Sequence, residues 1–315
     1  MSVFSIHHIT RYEYSRLVKE SLNQVKIYPL ADAAQQVLQQ DVRITGVPDV
    51  HLYCDYWGNM TGVFSIAAPH KELVIDSRLT ISIQPQELPF LDIGYREPVV
   101  DAAVSLLIAE LRHPEQIQQQ QLINTLVKDM VADGASTAAT VWHCNSYVYN
   151  HFQYIKGITT YETTVDEILE HRSGVCQDFA HVLLQILRTA HISCRYVSGY
   201  ICPNKNGMRG EGATHAWVEA WIPGYGWAGI DPTNNVWVTD SHVKLATGRN
   251  FNDCSPVKGL FKGLAKQQLS VYVSVGYEDG QVFEEINHVS TSAPDATVVA
   301  DEEEPVPAPQ EQQQQ

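Results

Sequence analysis

From His215 to Pro232 the chain reads HAWVEAWIPGYGWAGIDP, two runs rich in aromatic and small apolar residues separated by Pro223-Gly224-Tyr225-Gly226. Strand-forming runs joined by so short a Pro/Gly turn pair as an antiparallel hairpin, and this commits the region to sheet. Because side chains alternate along a strand, His215, Trp217 and Glu219 share one side of it. The run CRYVSGYI just upstream supplies a further strand of the same kind.

Ahead of these strands the hydrophobic period changes. Thr164 and Glu167 have the spacing of a capping box, with Ile168 and Leu169 as the apolar face of a short helix that stops near Ser173-Gly174. In the next helix Phe179, Val182, Leu183, Ile186 and Leu187 form a broad stripe that should lie deep in the domain. Ser173 is expected to cap it, which puts Cys176 in its first turn. Residues 99–152 read as three amphipathic helices, the last two separated by Gly134-Ala135-Ser136. From Val3 to about Gln84 short alternating runs dominate, as in an antiparallel β-sandwich or partly closed barrel. The expected organisation is therefore α+β: an antiparallel β domain over 1–85, helices plus a mixed α/β core over 86–289, and a disordered acidic, Gln-rich tail over 290–315.

The formal charge of −15 is partly a property of that tail, which carries Asp295, Asp301, Glu302, Glu303, Glu304 and Glu311 and no Lys or Arg. An acidic chain without clustered basic residues is not built for duplex nucleic acid or an anionic membrane, so neither is an expected partner. No basic start leads into an apolar run and no stretch approaches a membrane span, which makes the cytoplasm the expected compartment. The six cysteines are widely spaced and include no C-x-x-C pair, so no zinc knuckle or disulfide framework is expected, and no cofactor or metal is expected either.

A thiol acts as a nucleophile in its ionised form, and a helix N-terminus favours negative charge through its unpaired N–H groups. Cys176 has that position, with Asp178 in the same turn working slightly against it, so a basic partner is needed. His215, at the start of a strand, is the best candidate among thirteen histidines. Asp231 ends the other arm of the hairpin, and pairing across the turn brings its carboxylate towards His215, where it would orient the ring and stabilise its cation.

The segments GVCQDFAHVLLQILRTAHISCRYVSGY and HAWVEAWIPGYGWAGIDPTNN resemble the transglutaminase-like superfamily, specifically its bacterial members. HHITRYEY and DYWGN resemble the β-rich region that precedes the core in such proteins, and HVKLATGRNFNDCSPVKGLFKG the segment that follows it. The resemblance implies a papain-like core with the cysteine on a buried helix against an antiparallel sheet. It also implies Cys176 as nucleophile, His215 as general base and acid, and Asp231 as the residue that orients His215.

On that footing the expected activity is amide-bond hydrolysis through a thioester, on a peptide or other amide substrate. The alternatives are acyl transfer to an amine by the same triad, a non-catalytic protein-binding module, and a metal hydrolase using His215 and Asp231. The Cys176 N–H is one reasonable oxyanion donor; Trp142 and Gln177 are candidates for a second, neither assigned. Cys54, Cys144, Cys194, Cys202 and Cys254 are expected to be inert buried thiols. His7 and His8 are expected to be structural or solvated and His181 to be a packed helix residue, with lining the site as its alternative; Tyr200, Arg249 and Asp253 fall in segments that either border the site or hold loops. Oligomeric state has no signal in the sequence.

Overall fold

In a computed structural model of the chain the described residues are 2–30, 32–88, 102–131, 134–160, 162–202, 208–210, 214–277, 282–289 and 310–313. They fall into two compact units, one formed by Ile83–Cys254 and the other by Ser2–Ser82 with Ser255–Gln315.

The first unit is built around the helix Cys176–Thr189. Its stripe of Phe179, Val182, Leu183, Ile186 and Leu187 is fully buried. On one side it meets Val141, Cys144 and Val148 of the helix Thr137–His151, and on another Ala216, Val218 and Ala220 of the strand Thr214–Ile222. Each fully buried Leu, Ile or Phe contributes about 2 kcal/mol of transfer free energy, so this stripe fixes the helix, and with it Cys176, more firmly than any surface contact. The sheet runs in the order Val236–Trp237, Gly226–Asp231, Thr214–Ile222, Cys194–Ile201 and His242–Gly248, with every pairing antiparallel. In the hairpin Ile222 faces Gly226 and Val218 faces Ile230. The helix ends follow local chemistry: Ser136 Oγ accepts from the Ala139 N–H, and Thr164 and Glu167 form the reciprocal box their spacing predicts.

The second unit holds two five-stranded sheets. One runs Val282–Val289, Gln267–Tyr277, Ser2–Val18, His70–Ile83, Gln35–Ile44; the other runs Gln310–Gln313, Val257–Lys262, Glu20–Val25, Met60–Ile66, His51–Cys54. Here the division of the chain differs from the one expected, in which 86–289 formed a single region. Gln267–Tyr277 pairs with the first strand from Phe4 opposite Tyr277 to Tyr14 opposite Gln267, and Val257–Lys262 pairs with Glu20–Val25. Alternation announces a strand but not its neighbour; a strand with one apolar face joins whichever sheet offers a matching register. The tail expectation is corrected in part. Gln310–Gln313 is a strand on the edge of Val257–Lys262, because a backbone ladder asks nothing of side-chain hydropathy. Residues 290–309 and 314–315 of that tail lie outside the described residues, as does most of the expected Pro85–Pro98 boundary.

Candidate active site

Cys176 is the first residue of its helix and is partly exposed. The cap is not the expected Ser173, which lies with Gly174 in a short strand parallel to Gln153–Tyr154. Instead the Asp178 carboxylate reaches back one turn, and its Oδ2 accepts from the Val175 N–H at 2.7 Å and from Thr159 Oγ1 at 2.7 Å. A Cβ on Gly174 would stand 2.4 Å from that oxygen, so only glycine lets the chain pass. Burial raises the Asp178 pKa, and these two hydrogen bonds restrain the rise. The carboxylate is thus spent on the cap, not on the N–H groups beside the sulfur.

His215 is fully buried, and its Nε2 donates to Asp231 Oδ2 at 2.9 Å. Its Nδ1, on the far side of the ring, has no nitrogen or oxygen partner. Cys176 lies near enough to this ring to act on its charge. Burial disfavours the imidazolium, but Asp231 and then Cys176 outweigh it and push the His215 pKa up to about 10. Asp231 responds in the opposite sense: burial would raise its pKa, and the two histidines hold it far below the carboxylate range. Gly210 lies against the same nitrogen at φ +84°, where an added Cβ would come within 3.1 Å of His215 Nδ1.

The Asp231 carboxylate is held on every side. Oδ1 accepts from the Thr233 and Asn234 N–H groups at 2.8 and 3.3 Å. Oδ2 accepts, besides His215, from Asn234 Nδ2 at 2.7 Å and from His242 Nε2 at 3.2 Å. Asn234 also exchanges hydrogen bonds with Arg209, which ties residues 208–210 to the site. Sequence reasoning missed His242 and Asn234 in this role. Asn234 follows Asp231 closely enough to be suspected as an Asx-type partner. His242 starts the strand at the opposite edge of the sheet, and nothing local marks it. His215, Asp231 and His242 bring three ligand-type atoms within 4.8 Å of one another. With Asn234 on the same oxygen, however, their spacing is that of N–H groups converging on a carboxylate, which leaves that oxygen no direction free for a cation.

Among the other candidates, His181 is a packed neutral ring: burial drops its pKa to about 4 and its Nε2 accepts from the Phe251 N–H. Arg249 and Asp253 hold a loop, through Asp253 Oδ2 on the Arg249 N–H and the guanidinium on the carbonyls of Glu110 and His113. Tyr200 is buried. His7 pairs with Asp76 at 2.9 Å, and His8 is buried beside Thr10. Trp142 stacks on Trp237 with centroids 6.1 Å apart, and Gln177 is buried behind the nucleophile helix start. Cys144, Cys194, Cys202 and Cys254 are buried thiols as expected, but Cys54 is exposed, because its strand is a sheet edge whose four residues are all exposed.

Residues 124–232 match the model of the Transglutaminase-like superfamily, and residues 4–82 that of the Bacterial transglutaminase-like N-terminal region. An uncharacterized protein of Mycobacterium leprae is 30% identical over 85% of this chain and 96% of its own length. The Protein-glutamine gamma-glutamyltransferase of Pseudomonas aeruginosa is 38% identical over 97 residues, 28% of this chain and 14% of that protein. Among solved structures, a candidate cysteine protease from Cytophaga hutchinsonii aligns over 99% of this chain and 98% of its own, with TM-score 0.65 and 19% identity, a likeness of fold.

Proposed function

This chain belongs to the transglutaminase-like superfamily, with its papain-like α+β fold and bacterial N-terminal β region, and on that premise we propose that it hydrolyses amide bonds through Cys176, His215 and Asp231. The observation that carries this reading is the position of His215, with Nε2 on a buried carboxylate and the ring near a thiol at a helix N-terminus.

In the proposed mechanism the thiol proton rests on His215, whose cation Asp231 stabilises, and the sulfur is ionised among the helix N–H groups. The sulfur attacks the substrate carbonyl, and the oxyanion forms next to the Cys176 N–H. His215 Nδ1–H delivers its proton to the departing amine, leaving a neutral ring and a thioester. The same nitrogen then takes a proton from water as it attacks the thioester, releasing the acid and restoring the ion pair. Partial exposure of Cys176 supports water as the second reactant. Asp231 stays ionised throughout.

Acyl transfer to an amine is the second reading, favoured by the 97-residue similarity to the Pseudomonas gamma-glutamyltransferase. We place the protein in the cytoplasm, a reading supported by six free thiols; among the described residues no helix is long and apolar enough to cross a membrane.

The test begins with iodoacetamide at about pH 5.5, where an ordinary thiol is almost fully protonated. Stoichiometric labelling of Cys176, absent in Cys176→Ala, is expected. An unreactive Cys176 would favour a non-catalytic binding module. Glutamine-containing peptides incubated with a primary amine then separate the two reactions by product mass. Free acid or cleaved peptide supports hydrolysis, and an amine adduct supports transfer.

A further inference from the structure

Of the three side chains that converge on Asp231 Oδ2, those of His215, Asn234 and His242, the proposed function uses one. It leaves His242 without a task. Its side chain is completely buried, its Nε2 lies 3.2 Å from Asp231 Oδ2, and its ring packs edge-on against Trp217 at 5.0 Å and 5.8 Å from the His215 ring. A core histidine with no role would be replaced at little cost by an apolar side chain, since burying an imidazole is unfavourable unless its nitrogens are satisfied. Here both are: Ser241 Oγ sits 3.1 Å from Nδ1.

The arrangement dictates a tautomer. Asp231 accepts, so Nε2 must carry the proton; Nδ1 is then a lone pair, and the Ser241 hydroxyl donates to it. The Ser241 carbonyl accepts from the Cys202 N–H at 2.6 Å, which anchors the segment carrying this hydroxyl. The charged groups facing His242 are Asp231 and His215 from the hairpin strands and Asp240 from its own segment. Asp231 and Asp240 favour its cation, whereas burial, first, and the His215 charge disfavour it, and the balance lies below the ordinary histidine range. Two imidazolium rings on one carboxylate oxygen would repel each other, and the proton lost would come from either ring.

We propose that His242 is a positioning residue of this site: as a neutral Nε2–H donor it clamps the Asp231 carboxylate while leaving the single positive charge of the cluster on His215, beside Cys176. A lysine or arginine in its place would compete for the anion; an apolar residue would let the carboxylate turn. The neutral ring does neither. Protonation of His242 at Nδ1 at acid pH keeps the Nε2–H donor but adds a second positive charge that competes with His215 for Asp231, so the low-pH limit of Cys176 reactivity is set by two histidines rather than one.

This inference rests on the triad reading, and its test separates the two. In full-length protein with ¹⁵N-labelled histidine, the His242 ring at pH 7 is expected to carry a proton on Nε2 and none on Nδ1; an Nδ1–H tautomer or a doubly protonated ring overturns the proposal. The second measurement is the pH profile of Cys176 alkylation by iodoacetamide. His242→Phe, which keeps the volume and removes the donor, should lower the rate near pH 6 by about tenfold and move the acid limb upward. His242→Gln keeps an N–H near the Nε2 position and cannot titrate, and should return the rate to within about threefold of wild type. A His242→Phe profile that superimposes on wild type, or a His242→Gln variant as slow as His242→Phe, overturns the proposal. Should His242→Phe fail to fold, the His242→Gln profile and the tautomer decide. If Cys176 of the wild type does not react at acid pH, the triad reading fails, while the tautomer still reports on His242.

Discussion

Two buried carboxylates stand on neighbouring strands of one sheet, and their partners give them different work. Glu219, on Thr214–Ile222, is gripped by Arg195 at 2.6 Å and by Lys244; burial would raise its pKa, and the two cations hold it down. The Arg195 guanidinium also lies over the Trp227 ring at 4.4 Å, which holds it in place. Asp231, one strand away, is equally buried but faces imidazoles. An imidazole has a second nitrogen on its far side, and Cys176 lies near enough to the His215 ring to act on its charge. The carboxylate with fixed cations is a strut; the carboxylate with a titrating partner is part of a proton path.

The strongest way to break this contrast is at the nucleophile and its partner. Cys176→Ala should abolish turnover and acid-pH alkylation, and Asp231→Asn should slow turnover by about 10³-fold or more by mis-orienting His215, read from initial rates on any amide substrate found. Glu219→Gln should do the reverse, costing about 3–5 kcal/mol in denaturant unfolding by stranding Arg195 and Lys244, with the acid limb of Cys176 alkylation unmoved. A shifted limb would erase the distinction between strut and proton path.

A pH series sharpens it further. The pKa of His215 is raised by folding, so its pairing with Asp231 stabilises the fold fully below about pH 6.5 and loses that contribution as pH rises towards about 10. The stability gap between wild type and Asp231→Asn should therefore shrink over that range in thermal unfolding, whereas the gap for Glu219→Gln stays flat. Gly174→Ala should cost about 1–2 kcal/mol and slow alkylation, because its Cβ would displace the Asp178 oxygen that caps the nucleophile helix. Smallest of all, Thr164→Ala should cost about 1 kcal/mol through the lost box with Glu167 and leave Cys176 reactivity unchanged.

The parts of the molecule that could be read along the chain were those governed by neighbours in sequence. The hairpin, the capping box at Thr164, the three helices before it and the buried stripe after Cys176 each follow from period, turn residues and caps, which act over a few residues. The cap on the nucleophile helix was misread because Ser173 and Asp178 both fit the local rule; the strand at Gln153–Tyr154 took Ser173. Cys54 was misread because exposure on an edge strand depends on what fails to pair with it.

By itself, then, the amino-acid order put a cysteine in the first turn of a buried helix and set His215 and Asp231 on the two arms of one hairpin, since turn residues, caps and a two-residue alternation act over a few positions. Tertiary structure alone decided which strands close the sheets: that 257–277 returns to the first strands, and that His242 arrives at Asp231 from the far edge of the sheet. Strand order is set by the competition of all strands for partners and of all apolar faces for cover, and that competition is settled only when the whole chain has packed.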